Sequence, residues 1–199
     1  MSEMPPGGKP PDTSLSLKIS LAGDSGVGKT ALVKRFVSDT FNDTYTSTLG
    51  AKVSSRRFSV PDPLHEGQRL EVAAAIWDIM GNIGLREVLR DAYFYGAKGV
   101  LLVADATRPD TVKNLPAWAK AVTSVAGELS TVVLVNKSDL GKPAKVIAAS
   151  IEALCAEKGW TWMMASAKTG ENVPEAFERV ARLYLKSLPR TRSPDDSTE

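Results

Sequence analysis

A glycine-rich stretch near the beginning of the chain has the residue types and the spacing that bind phosphate groups. It runs from Gly23 to Thr30 as Gly-x-x-x-x-Gly-Lys-Thr. Glycines allow successive backbone N–H groups to turn inward and form a nest for an anion. The Lys29 ammonium can bind the β- and γ-phosphates of a nucleotide, and the Thr30 hydroxyl can bind Mg²⁺. The stretch therefore predicts a phosphate-binding loop, but it does not say which nucleotide binds.

A polar segment in the second half of the chain, residues 136–139, predicts which base the site selects. The segment reads Asn-Lys-Ser-Asp and follows the continuous apolar run 131–135, which is typical of a buried strand. Ligands of α/β sheets bind along the carboxyl edge, so this loop should lie beside the phosphate-binding loop. Asp139 can accept hydrogen bonds from N1–H and the 2-amino group of guanine, whereas adenine would leave the carboxylate unpaired at a cost of roughly 1–3 kcal/mol. We further expect the alkyl chain of Lys137 to cover the purine ring and the Ala167 N–H to donate to guanine O6.

A carboxylate at the end of another predicted strand is a candidate magnesium ligand. Asp78 follows the strand-like run 70–77 and precedes a turn at Gly81. It is placed to hold Mg²⁺, directly or through water. Considered alone, an aspartate at a strand end more often caps a turn. The assignment to Mg²⁺ therefore depends on the phosphate-binding loop.

The composition is ordinary for a soluble globular protein and argues against several kinds of site. The chain has 199 residues, 43% hydrophobic and 24% charged, with a net charge of +2, which predicts one domain without a nucleic-acid or membrane signal. Cys155 is the only cysteine and His65 the only histidine, which argues against a disulfide, a zinc cluster and a histidine-based triad. The sequence predicts no bilayer-spanning segment and no signal peptide. Ser2 stands where N-myristoylation requires glycine, and the tail lacks the cysteine that prenylation requires. We therefore expect a cytoplasmic protein without a direct lipid anchor.

Strands and helices alternate along the predicted secondary structure. The predicted strands span residues 15–21, 51–60, 70–77, 99–104, 131–135 and 160–165. A first predicted helix follows residue 30, and further predicted helices span residues 85–93, 114–125 and 144–158. The final predicted helix has Asn172 as its N-cap and Pro174 in its first turn. This alternation predicts an α/β sheet with helices on both faces. We expect one domain over residues 14–187, with a disordered N-terminal arm, 1–13, and a disordered tail, 188–199.

Five motifs, in order along the chain, resemble those of the Ras-like small GTPases, and most closely the Rab branch. They are residues 23–30, the segment around Thr48, Trp77-Asp78-x-x-Gly81, residues 136–139 and residues 166–168. The resemblance covers roughly residues 15–187. It implies the P-loop NTPase fold called the G domain, a mostly parallel six-stranded sheet with one antiparallel edge hairpin and helices on both faces. It also implies a switch that binds GTP or GDP with Mg²⁺ and whose loops are released after hydrolysis.

The resemblance also implies a set of site residues. Those expected to contact GTP or GDP are Ser25, Gly26, Val27, Gly28, Lys29, Thr30, Ala31, Phe41, Tyr45, Thr48, Gly81, Asn136, Lys137, Asp139, Ser166, Ala167 and Lys168. Those expected to hold Mg²⁺ are Thr30, Thr48 and, through water, Asp78. Those expected to act in catalysis are Lys29, Thr48, Gly81 and Asn82.

One departure from the family pattern bears on catalysis. Where the family usually reads Trp-Asp-Thr-Ala-Gly-Gln-Glu, residues 77–83 place Asn82 at the glutamine that orients the attacking water, and Ile83 at the glutamate. Positioning accounts for most of the catalysis in phosphoryl transfer, so the missing methylene predicts slow hydrolysis. Two interpretations stay open: a regulatory GTPase that hydrolyses GTP slowly, or a GTP-binding scaffold with negligible turnover. Asp139 disfavours a third, an ATPase or metabolic kinase.

The resemblance implies protein partners and no nucleic acid. Effectors, exchange factors and GTPase-activating proteins would contact the two switch regions, residues 41–50 and 78–95. An activating protein could supply the group that Asn82 lacks. We expect the protein to be a monomer.

Overall fold

A six-stranded β-sheet forms the centre of the fold. The computed structural model describes residues 14–41, 50–63, 65–79, 81, 91–141 and 145–188. The strands are β1 (Leu15–Ala22), β2 (Ala51–Pro61), β3 (Arg69–Ile79), β4 (Gly99–Asp105), β5 (Ser130–Asn136) and β6 (Thr161–Met164). The helices of the described part are α1 (Lys29–Ser38), α2 (Pro109–Lys113), α3 (Leu115–Ala126), α4 (Lys145–Lys158) and α5 (Val173–Ser187), with a 3₁₀ turn at Ser138–Leu140.

The strand order confirms the predicted fold class. The order across the sheet is β2-β3-β1-β4-β5-β6, and only the β2–β3 pair is antiparallel. β1 lies between β3 and β4, with Leu21 in register with Asp78 on one side and Leu101 on the other. The chain leaves β1 towards β3 and leaves β4 towards β5, so the direction of winding changes between β1 and β4. Ligands of open α/β sheets bind at the carboxyl ends of two such strands.

Helices cover both faces of the sheet, as predicted. On one face, Phe36 of α1 stacks on Phe177 of α5 with ring centroids 3.9 Å apart, within the buried cluster that also contains Leu101. On the other face, Trp118 of α3 and Ile151 of α4 pack with alternate residues of β4 and β5. Because β4 is buried on both faces, its sequence is a continuous apolar run without alternation.

The start of α5 differs from the prediction in its chemistry. Asn172 does occupy the N-cap position, but its side chain does not cap the helix. Its backbone is left-handed, with φ of 56°, and its Nδ2 donates to the carbonyl of Met164 at 2.9 Å. The side chain therefore ties the helix to the end of β6.

Several predictions lie outside the described residues. They concern the disordered arm 1–13, the tail beyond Leu188 and most of the predicted helix 85–93. Within the described part of the chain, none of the helices is long and apolar enough to cross a bilayer.

Candidate nucleotide-binding site

The phosphate-binding loop connects β1 to α1 and is built around two glycines that no other residue could replace without strain. Gly28 has φ of +99°, and an added Cβ would lie 2.2 Å from Asn136 Nδ2. Gly23 has φ of +146°, and an added Cβ would lie 2.2 Å from the carbonyl oxygen of Val103. Both glycines thus permit a left-handed turn and a close approach to a neighbouring strand end. The loop leads into the first turn of α1, whose N–H groups and positive dipole end favour an anion.

Lys29, the first residue of α1, folds back over this loop. Its Nζ donates to the carbonyl oxygens of Gly23 at 2.6 Å and Asp24 at 2.8 Å, and the residue is buried. Burial lowers the pKa of Lys29 to about 8; the negative charges of Asp78 and Asp24 oppose this shift, and the positive charge of Arg108 adds to it. A bound phosphate would favour the charged ammonium and raise this pKa again.

Thr30 and Asp78 form the pair of oxygen groups predicted for Mg²⁺. The Thr30 hydroxyl donates to Asp78 Oδ2 at 2.5 Å, and Asp78 is 1% exposed. Asp78 Oδ1 is buried and has no hydrogen-bond partner among the described residues, and burial raises the pKa of this carboxyl. A buried carboxylate oxygen without a partner is costly unless a cation completes it.

These oxygens fit Mg²⁺ better than a metal held by protein ligands alone. The described residues contain no group of three or more His, Cys, Asp or Glu that could hold a metal ion. Mg²⁺ typically binds through one or two protein oxygens together with phosphates and waters. Thr30 and Asp78 supply that kind of partial donor set beside a phosphate-binding loop.

Gly81 is the one described residue of the predicted switch II motif that lies after β3. A Cβ at Gly81 would lie 2.5 Å from the backbone nitrogen of Ser25 and 2.6 Å from the carbonyl oxygen of Asp24. Its backbone therefore packs directly on the phosphate-binding loop. Tyr45, Thr48 and Asn82 lie outside the described residues.

Asn136, at the end of β5, connects the phosphate-binding loop to residues 166–168. Its Nδ2 donates to the carbonyl oxygen of Val27 at 2.8 Å, and its Oδ1 accepts from the Ala167 N–H at 3.0 Å. The sequence predicts that the Ala167 N–H donates to guanine O6, whereas in the structure it donates to Asn136. Local sequence patterns could not predict these two hydrogen bonds, because the partners lie 109 and 31 residues from Asn136.

The rest of the predicted base loop, by which we mean residues 136–139 and 166–168, is held by the side chains of Ser166 and Arg35. Ser166 Oγ donates to Asp139 Oδ1 at 2.6 Å, which fixes the orientation of that carboxylate. Arg35 of α1 donates to the carbonyl oxygens of Ala167 at 2.9 Å and Lys168 at 2.6 Å. The base loop and α1 are therefore joined. Phe41, also predicted to contact guanine, is partly buried against the cluster that contains α1.

Asp105, at the end of β4, is a residue that the sequence reasoning missed. Its Oδ2 contacts Lys137 Nζ at 2.7 Å and accepts from Arg108 Nε at 2.9 Å, while Oδ1 accepts from the Thr107 N–H and hydroxyl. Burial acts to raise the pKa of Asp105, but the hydrogen bonds from Lys137, Thr107 and Arg108 together lower it. The available signal was its position, since Asp105 follows a buried strand just as Asp78 does.

Asp24, the second residue of the phosphate-binding loop, is held by a further missed contact. Its carboxylate accepts from Asn114 Nδ2 at 2.7 Å and from Trp118 Nε1 at 2.8 Å. Arg108 Nη2 donates to the carbonyl oxygen of the next residue, Ser25, at 3.0 Å. The segment after β4 thus fixes the first part of the loop.

The geometry agrees with comparisons to known proteins. The sequence pattern of the Ras family matches residues 18–186. The chain is 37% identical over 172 residues to Ras-related protein Rab-13 of Mesocricetus auratus, which covers 85% of this chain and 81% of that protein. It is 33% identical over 181 residues to Ras-related protein Rab-8B of Homo sapiens, covering 90% and 84%. It is 36% identical over 173 residues to Ras-related protein SEC4 of Saccharomyces cerevisiae, covering 86% and 76%. The chain therefore belongs to the Ras family and is a Rab-like small GTPase.

Proposed function

We propose that this protein is a regulatory switch that binds GTP and GDP with Mg²⁺ through residues 14–187 and hydrolyses GTP slowly. The observation that carries the proposal is the double contact of Asn136. Its amide joins Val27 of the phosphate-binding loop to Ala167 of the base loop, at 2.8 and 3.0 Å. One nucleotide can therefore be held at both ends by groups that are fixed relative to each other.

The phosphate end would be bound by the loop and the start of α1. The backbone N–H groups of the loop would form a nest for the phosphates, and the Lys29 ammonium would exchange its carbonyl partners for the β- and γ-phosphates. Thr30 would ligate Mg²⁺ directly, and Asp78 through water. When bound, Mg²⁺ neutralises phosphate charge.

The base end would be bound by side chains that the structure holds in place. Asp139, oriented by Ser166, accepts hydrogen bonds from guanine N1–H and the 2-amino group. The alkyl chain of Lys137 covers the ring while its ammonium stays on Asp105. Adenine would leave Asp139 without these partners, which disfavours it by roughly 1–3 kcal/mol.

Hydrolysis proceeds by attack of water on the γ-phosphorus and cleavage of its bond to the β–γ bridging oxygen, which gives GDP and phosphate. Gly81, packed on the loop, would donate its N–H to the γ-phosphate, and Thr48 would contact the same group. Asn82 would orient the water, and its shorter side chain reaches less far than glutamine. We therefore expect slow turnover that a partner bound to the switch regions accelerates.

The second candidate function is a GTP-binding scaffold, and Asn82 is the residue that favours it. A scaffold would bind effectors through residues 41–50 and 78–95 without turning over its nucleotide. Both candidates require the same nucleotide site, so they differ in the hydrolysis rate alone.

Single-turnover hydrolysis of bound GTP, measured for the wild type and Asn82→Gln, separates the two. A wild-type rate on the order of 10⁻⁴ s⁻¹ would mean that Asn82 suffices for an ordinary timed switch. A much slower rate that Asn82→Gln restores would support the scaffold. If Asn82→Gln changes nothing in a slow enzyme, our account of Asn82 is wrong.

Two binding variants serve as controls for that measurement. Lys29→Ala should weaken GTP binding, and unchanged affinity would contradict the phosphate assignment. Asp139→Asn should shift preference from guanosine towards xanthosine nucleotides, because an amide can donate to the xanthine 2-oxo group. If Asp139→Asn still discriminates fully against xanthosine nucleotides, the base contact is wrong.

A further inference from the structure

Arg108, the third residue after β4, spans the gap between Asp105 and the phosphate-binding loop. Its Nε donates to Asp105 Oδ2 at 2.9 Å, and its Nη2 donates to the carbonyl oxygen of Ser25 at 3.0 Å. The Asp105 side chain is 1% exposed, whereas the Arg108 side chain is 45% exposed. One edge of the guanidinium is therefore anchored on a buried carboxylate, while nearly half of the side chain stays exposed.

The contact with Ser25 lies in the same part of the loop as the contacts of Lys29 and Gly81. The Lys29 ammonium, which serves the β- and γ-phosphates, lies on the carbonyls of Gly23 and Asp24, next to Ser25. Gly81 packs on the same stretch, with the position of its added Cβ 2.5 Å from Ser25 N. The other end of the loop leads into α1. Arg108 therefore approaches the side of the loop where hydrolysis would occur.

We propose that Arg108 is a catalytic arginine built into this chain, which contacts the γ-phosphate of GTP during hydrolysis. The proposal rests on the proposed function. When GTP is bound, Nη2 moves from the neutral Ser25 carbonyl to a phosphate oxygen, while Nε keeps its bond to Asp105. Arg108 forms and breaks no covalent bond. It donates hydrogen bonds to oxygens whose charge grows as water adds to the γ-phosphorus and the electron pair of the broken bond passes to GDP.

The chemistry of the guanidinium suits this role better than a purely structural one. Arginine is always charged, and its planar N–H groups match phosphate oxygens. A partly exposed hydrogen bond to a neutral carbonyl is readily exchanged for one to an anion. An arginine supplied to such a site, from within the chain or by a partner, can accelerate hydrolysis by about 10³–10⁵-fold. Arg108 would thus offset part of the positioning that Asn82 lacks.

The first test compares single-turnover GTP hydrolysis and GDP affinity in the full chain for the wild type, Arg108→Ala and Arg108→Lys. Lys113→Ala is the matched control, because it removes a cation of the same segment that pairs with the exposed Asp110. We expect both Arg108 variants to hydrolyse GTP at least roughly tenfold more slowly, with GDP affinity within about twofold of wild type, because the arginine acts mainly on the transition state. Lys113→Ala should match the wild type in both measurements.

Two results would overturn the proposal while leaving the proposed function intact. Unchanged hydrolysis in Arg108→Ala would mean that Arg108 does not reach the phosphate. Equal losses of GDP affinity and hydrolysis would mean that Arg108 only supports the Ser25 carbonyl. If the wild type itself fails to bind GDP, the proposed function and this proposal fail together; if it binds GTP but never hydrolyses it, the scaffold is correct and this proposal fails.

A transition-state mimic gives an independent readout. Aluminium fluoride with GDP imitates the γ-phosphoryl group during transfer, and it needs positive charge beside that group. We expect the wild type and Lys113→Ala to retain fluoroaluminate with GDP in the absence of any partner, and Arg108→Ala to lose it. Equal retention in Arg108→Ala would contradict the proposal.

Discussion

Asp78 and Asp105 occupy matching places on either side of the phosphate-binding loop. Asp78 lies in β3 near its end and Asp105 ends β4, and both strands neighbour β1. Each carboxylate is 1% exposed. They differ in their partners. Asp105 binds two cations and Thr107, whereas Asp78 accepts from Thr30 and its Oδ1 has no partner within the described part of the chain.

The same local pattern thus gives a carboxylate with several partners in β4 and, in β3, the carboxylate that we propose as a Mg²⁺ ligand. The hydrogen bonds around Asp105 outweigh the effect of burial and lower its pKa, so the charged form stabilises the fold. Burial has the larger effect at Asp78 and raises the pKa of this carboxyl, so a bound cation would stabilise its charged form. A buried carboxylate without full partners is therefore the better indicator of a binding site.

The largest expected effect is on the stability of Asp105→Asn. This change removes the negative partner of Lys137 and Arg108 and should lower the free energy of unfolding by about 2 kcal/mol, less than for a fully buried pair because both cations are partly exposed. Urea denaturation of the nucleotide-free protein measures it. A loss below about 0.5 kcal/mol, the size expected for an ordinary surface substitution, would show that Asp105 does not stabilise the fold as we expect.

Asp78→Asn should behave in the opposite way in the same experiment. It keeps the shape of the side chain but removes a buried charge, so stability in the absence of nucleotide and Mg²⁺ should stay unchanged or rise by about 1 kcal/mol. A loss of unfolding free energy as large as that of Asp105→Asn would mean that the Asp78 charge also stabilises the fold. The proposed difference between the two carboxylates would then be wrong.

The two carboxyls should also titrate on opposite sides of the usual aspartate pKa of 3.8, a smaller effect that carbonyl NMR can follow. The Asp105 charge contributes stability above pH 3.8, and this contribution is lost as the pH falls through its lowered folded pKa. The Asp78 charge costs stability above its raised folded pKa, and this cost disappears as the pH falls towards 3.8. Midpoints in the reverse order would contradict the assigned causes.

The sequence was sufficient for features that local pattern determines. Strand periodicity and apolar runs predicted the sheet, and the glycine spacing predicted a loop in which Gly23 and Gly28 do have positive φ. It was insufficient for the partners that depend on the folded chain, such as the Asn136 contacts and the Asn172 side chain. Asp78 and Asp105 look alike in sequence because their partners come from other elements. The roles of Thr48 and Asn82 stay predictions.

The measurement that tests this account most directly is the Mg²⁺ dependence of GDP binding in the wild type and Asp78→Asn. We expect Mg²⁺ to strengthen GDP binding by the wild type, and the Mg²⁺ concentration needed for half of that effect to rise roughly 10–100-fold in Asp78→Asn, as for other residues that act on a metal through its bound water. The same Mg²⁺ dependence in both proteins would show that Asp78 has no part in holding the metal.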